Sequence, residues 1–227
     1  IATGVLGALL LLAAPSFVFT SGRAWNHDLP VLLVLLAAVL ASYWLRRPVR
    51  SLFWLAGAGL MVGLAAGTRS SYAFAALPFA IMIFLVLPWR SRRAWVALIV
   101  LAAAGVIGAA PTIYTFAVAP ERFIFGNLTY ARLNTEYYQL NGAGQPGMTL
   151  PQKIAFTFEL VFLQPGNLLI LLLAVLEMWR VRKSLRLRVA PELYLGFLLL
   201  LSFLVGAYAP TPMQQQYIYP IIPLLLL

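Results

Sequence analysis

The sequence predicts an all-α protein, a polytopic transmembrane helix bundle of about seven or eight spans with one longer extracytoplasmic loop. Three observations carry this. Of 227 residues, 63% are hydrophobic and 10% charged, a share of apolar residues beyond what a soluble core of this size needs. Leu, Ala and Val recur for whole helical turns without period-two alternation. Only helices and closed barrels satisfy their backbone polar groups in hydrocarbon, and the missing alternation selects helices. Finally, the basic residues come in short blocks between apolar runs: Arg46, Arg47 and Arg50; Arg90, Arg92 and Arg93; Arg180, Arg182, Lys183, Arg186 and Arg188.

In chain order, spans are expected over residues 2–19, 30–45, 52–66, 72–89 and 95–111, somewhere within 154–179, over 193–208, and from 217 onward. With the basic blocks cytoplasmic, as the excess of Arg and Lys on that side requires, loops 20–29, 67–71, 112–153 and 209–216 face outward. The whole chain, 1–227, reads as one transmembrane domain, with the 112–153 loop inside it. The sixth span is interrupted by Gln164, Pro165, Gly166 and Asn167, so either an interfacial helix precedes a short span or one long helix kinks at Pro165. Gly59, Gly63 and Gly67 recur every fourth residue and predict a close helix approach along one face of the third span. No strand precedes these glycines and no Walker lysine follows, so helix packing is favoured over a nucleotide loop.

The net charge of +10 predicts no nucleic-acid partner, because the cations do not share a stretch that would form one groove. Without cysteine there is neither a disulfide framework nor thiolate chemistry. The first segment lacks a basic leading region and runs into another span, unlike a signal peptide. A start at Ile1 and a short apolar end at Leu227 predict a chain cut from a longer protein.

Candidate chemistry gathers in the outer loops. Asn26, His27 and Asp28 include the only histidine and the only aspartate, at the mouth of a span. Asp28 can cap the helix entered at Pro30, and it can serve with His27 as a ligand to a divalent cation or contact substrate. Arg69, at the outer end of the third span, suits lipid phosphates or a substrate phosphate. Gln214, Gln215, Gln216 and Tyr217 lie at the mouth of the last span, where amides suit a polyhydroxyl ligand. In the long loop, Tyr130, Tyr137 and Tyr138 with Arg132 and Glu136 fit either an aromatic belt or substrate contact. Asn127, Leu128 and Thr129 form a glycosylation sequon.

At these residues the chain resembles the GT-C superfamily of integral-membrane glycosyltransferases, nearest the protein O-mannosyltransferase and aminoarabinose transferase branch. The resemblance runs through Pro15 and Ser16 followed by Asn26 to Pro30, through Gly63, Leu64, Ala65, Ala66, Gly67, Thr68 and Arg69, through Pro120 to Phe125 with Asn127 and Tyr130, and through Pro212 to Pro220. Arg69 stands where lysine is commoner. The resemblance implies an enzyme that moves a sugar from a polyprenyl-phosphate donor to a lipid, glycan or protein acceptor on the outer face of a prokaryotic plasma membrane. It implies Asp28 as catalytic, Asp28 and His27 beside a divalent metal (Mg or Mn), and Arg69, Tyr72, Gln215 and Tyr217 as substrate-binding residues. The family's principal carboxylate is expected before Ile1. A transporter or lipid flippase, with Asp28 and Arg69 lining a conduit, and a non-catalytic membrane subunit are the alternatives.

Overall fold

In the computed structural model, residues 2–14, 27–46, 51–140, 148–182, 191–208 and 215–225 are described. They form helices and turns throughout, with no strand among them. The chain proceeds through α1 (Ala2–Leu12), α2 (Asp28–Arg46), α3 (Leu52–Thr68), a 3-10 segment (Ser70–Ala75), α4 (Ala76–Val86), α5 (Arg92–Gly108) and α6 (Ala110–Val118). It continues with α7 (Pro120–Ile124), a π-helical turn (Phe125–Thr129), α8 (Tyr130–Leu140), α9 (Leu150–Thr157), a second π-helical turn (Phe158–Phe162), α10 (Pro165–Val181), α11 (Pro191–Tyr208), α12 (Gln215–Ile218) and α13 (Ile221–Leu224).

Two helices, Asp28–Arg46 and Pro191–Tyr208, are each long and apolar enough to cross a membrane. A third crossing forms if α5 and α6, bent by 59°, act together. That is fewer than the seven or eight spans expected from hydropathy. Among the described residues, the other apolar runs form helices that are short or bent. Pro111 sits in the first turn of α6 and cannot donate a backbone hydrogen bond to the helix before it, so the expected 95–111 span closes as α5 at Gly108 and the chain turns by 59° into α6. Leu52–Thr68 and Ser70–Val86 are shorter apolar helices. At 1.5 Å per residue, the 17 residues of α3 reach about 26 Å, just under the hydrocarbon thickness. The interrupted sixth span resolves as two helices: α9 and its π-helical turn end before Gln164, whose extended ψ of 131° starts α10 at Pro165.

Helix α3 is the centre of the bundle, packed between α2 and α5. Its glycines set the spacing to α5. A Cβ on Gly59 would collide with the Leu101 carbonyl oxygen, and one on Gly63 with that of Gly105. Reciprocally, a Cβ on Gly108 would meet the Leu60 carbonyl. Gly67 continues the row against the Thr112 hydroxyl, which donates to the Gly67 carbonyl at 2.9 Å. The small-residue face anticipated in the third span is therefore a helix interface, with Gly105 and Gly108 as its unanticipated other half. On the opposite side, α2 buries Val34, Ala37, Ala38, Ala41 and Trp44, a stripe at helical spacing. The C-terminal stretch Ile218 to Leu224 is buried and packs on α11.

Antiparallel neighbours bring the end of one helix beside the start of another. At one end Arg46 pairs with Glu192 at 3.3 Å, joining the last residue of α2 to the start of α11. At the other, Tyr72 meets His27, Ser70 meets Asn127, and the Lys153 ammonium donates to the Tyr208 carbonyl at 2.5 Å, a cation on the carbonyl end of α11.

Candidate active site at one end of the bundle

Helix α2 begins with the Val31 amide donating to the His27 carbonyl at 3.0 Å. The capping position therefore belongs to His27, and Asp28 stands in the first turn instead of capping the helix. A carboxylate there still gains from the positive helix end, and the side chain also lies near enough to the Tyr219 hydroxyl to act on it electrostatically. Tyr219 is held 2% exposed between the two short C-terminal helices, while Asp28 itself is exposed.

His27 is 4% exposed, and its Nδ1 lies 2.9 Å from the Tyr72 hydroxyl. Tyr72 and Tyr219 flank the imidazole at 5.9 and 6.4 Å between ring centroids. Phe203 of α11 closes the cluster behind Tyr72 at 5.4 Å. Burial first, and the charge of Arg69 second, hold the His27 pKa down to about 4, so the ring is neutral at physiological pH. Its Nε2 is buried and has no hydrogen-bond partner among the described residues.

Arg69 follows the last residue of α3 in an extended conformation, and its backbone amide closes the helix on the Ala65 carbonyl. The side chain is half-buried, and its Nε donates to the Ser71 hydroxyl at 3.3 Å. Arg69 and Asp28 both lie close enough to the Tyr72 hydroxyl to act on it electrostatically, with opposite signs. Next to Arg69, the Ser70 hydroxyl donates to Asn127 Oδ1 at 2.8 Å, while Asn127 Nδ2 donates to the Phe123 carbonyl at 3.0 Å. The Pro120–Tyr130 stretch is thereby moored beside Arg69, with both ends of the sequon amide engaged.

The structure thus brings together His27, Asp28, Arg69 and Tyr72 from the residues singled out in the sequence. Tyr217 is half-buried, and the ring of this stretch that reaches the cluster is Tyr219. The backbone of Gln215 opens α12, while its side chain, like those of Gln214 and Gln216, lies outside the described residues; so do Pro15, Ser16 and Asn26. Tyr219 was missed because it falls inside an apolar run and differs from Tyr217 only in register. The period of the short helix, with Pro220 after it, was the available signal.

A divalent ion would find the Asp28 carboxylate and His27 Nε2 as donors. Among the described residues no third His, Cys, Asp or Glu stands with them, and hard cations take six or more ligands. Two protein donors do not close such a shell by themselves, and the side chains offer further chemistry of their own. An exposed carboxylate near a phenol can take a proton or align a hydroxyl. A guanidinium at a helix end can neutralise a phosphate. No protein-family model, curated protein or solved structure matches this chain.

Proposed function

We propose that this chain is the multi-pass membrane bundle of a GT-C-type glycosyltransferase, with the short and bent helices completing seven or eight crossings of a prokaryotic plasma membrane. Its substrates are a polyprenyl-phosphate sugar and a lipid, glycan or protein acceptor on the outer face. The observation that carries this reading is the 2.9 Å contact of His27 Nδ1 with the Tyr72 hydroxyl, which brings the Asp28 start of α2 and the Arg69 end of α3 to a single end of the bundle. In the reaction, an acceptor hydroxyl oxygen bonds to the anomeric carbon as the bond from that carbon to the phosphate oxygen breaks. The phosphate leaves with the electron pair, where the Arg69 guanidinium offsets its charge. The acceptor proton passes to a carboxylate, the role assigned here to Asp28, which is exposed near the Tyr219 hydroxyl. A conduit would need ionisable groups near the bilayer midplane, whereas Asp28 and Arg69 stand at helix ends.

Asp28→Asn in the full-length protein tests this reading, since asparagine keeps the size and loses the charge. Transfer from a polyprenyl-phosphate sugar in membranes, at matched protein amounts, is expected to fall about a hundredfold or more, the scale of removing a general base. Turnover equal to wild type would refute the role of Asp28.

A further inference from the structure

Helix α8 carries Tyr130, Leu133, Tyr137 and Leu140 at successive spacings of three, four and three residues. At 3.6 residues per turn these form one longitudinal stripe. All four are exposed: Tyr130 at 56%, Leu133 at 42%, Tyr137 at 61% and Leu140 at 87%. Beside the stripe, Arg132 and Glu136 pair at 3.4 Å with both side chains largely exposed. An amphipathic helix whose apolar face is this exposed is suited to contact with an apolar surface.

Two features identify that surface. The Ser70–Asn127 hydrogen bond ties the turn before α8 to the residue following Arg69, so α8 starts level with the end of α3. Leading to it, α6 buries none of its residues and exposes Tyr114 at 69% and Val118 at 65%. The uncovered surface is therefore continuous from a bent, span-forming helix pair to α8. At 11 residues α8 is about 16 Å long, too short to cross, and its ion pair is unsuited to hydrocarbon. Two tyrosines and two leucines match the boundary between headgroups and acyl chains, where an aromatic ring with a polar tip is favoured.

We propose that α8 is an interfacial helix that lies in the outer leaflet, its Tyr130, Leu133, Tyr137 and Leu140 stripe seated in lipid and its Arg132–Glu136 pair among the headgroups. This rests on the membrane-embedded reading of the bundle and not on glycosyl transfer.

The absence of native cysteine allows a direct test on the full chain reconstituted in phosphatidylcholine vesicles. Environment-sensitive fluorophores are attached through Leu133→Cys, Tyr137→Cys, Arg132→Cys and, as a control on exposed α5, Ile99→Cys. Spin-labelled lipids quench from the headgroup, from shallow acyl positions or from deep ones, and iodide quenches from water. At positions 133 and 137 the shallow labels are expected to quench at least about threefold more than the deep ones, as for a helix buried about 5–10 Å into the boundary. Position 132 should respond to headgroup labels and iodide, and position 99 to the deep labels. Iodide quenching at 133 and 137 with position 99 in lipid overturns the interfacial assignment alone. Shielding of 133 and 137 from lipid and iodide alike, with cysteine cross-linking between chains, assigns the stripe to a second copy and also overturns it. Position 99 in water would overturn the membrane reading itself.

Discussion

At the residue scale, the neutral histidine is the group whose environment has the most direct solution consequence. His27 is the only histidine, and its pKa lies at about 4 in the fold against an ordinary value of 6.5, chiefly through burial. As pH falls below about 6.5, the unfolded chain takes up a proton that the folded protein refuses until about 4. The unfolded state then binds more protons, so the stabilisation is complete above 6.5 and is lost progressively down to 4. Carboxylates ordinarily titrate near 4, which leaves the upper part of the window to His27. Between pH 7 and 5 the melting temperature in detergent is expected to fall by about 4–8 °C, corresponding to roughly 2 kcal/mol. In His27→Gln, which cannot titrate, the decline over that range should vanish. An unchanged slope in the variant would assign it to other groups. The sequence marked His27 by its uniqueness and its place beside Asp28, but burial decides its protonation, and burial depends on Tyr72, 45 positions away, and on Tyr219.

At the scale of elements, the α3–α5 pair makes the difference between two kinds of helical glycine measurable. At Gly63 an added methyl would strike the backbone oxygen of Gly105, which cannot rotate aside, so the two helices must move apart. Gly196, inside α11, has nothing within 4 Å of the same methyl. Gly63→Ala is expected to destabilise the protein by about 1–3 kcal/mol, the usual cost of overpacking. Gly196→Ala should be neutral or stabilise by up to about 1 kcal/mol through helix propensity. Thermal denaturation in one detergent checks both, and equal effects would mean that the close approach of α3 and α5 does not limit stability. The Gly59, Gly63 and Gly67 spacing was legible because small residues every fourth position occupy one face. Its partner was not legible, since Gly105 and Gly108 are three apart and acquire meaning only against α3. The breaks at Pro111 and Pro165 were legible, because proline cannot continue the ladder of the helix before it, whereas hydropathy did not register that runs between such breaks form helices too short or too bent to count as single crossings.

For the whole molecule, the same-end contacts turn a rule about charges into a testable orientation. Arg46 at the end of α2, Arg90 before α5, and Arg180 in the last turn of α10 belong to the basic blocks expected on the cytoplasmic side. The Arg46–Glu192 pair fixes the start of α11 to that same end. His27, Arg69, Asn127 and Lys153 are drawn to the other end by Tyr72, by Ser70 and by the terminal carbonyl of α11. Each helix from α2 to α5 reverses direction relative to the one before, so a single orientation assigns all of these groups. If the Arg-rich end is cytoplasmic, a cysteine introduced at Ser91, in the short connection before α5, is shielded in sealed cells and reacts with a membrane-impermeant maleimide only after permeabilisation. A cysteine at exposed Thr149 should react in intact cells. The two sites must answer oppositely. Labelling of Ser91→Cys with protection of Thr149→Cys would invert the protein in the bilayer and put Asp28 and Arg69 on the cytoplasmic side, where an outer-face transferase has no use for them. Labelling of both in sealed cells would instead break the alternation of α2 to α5 across the bilayer, and with it the multi-pass arrangement.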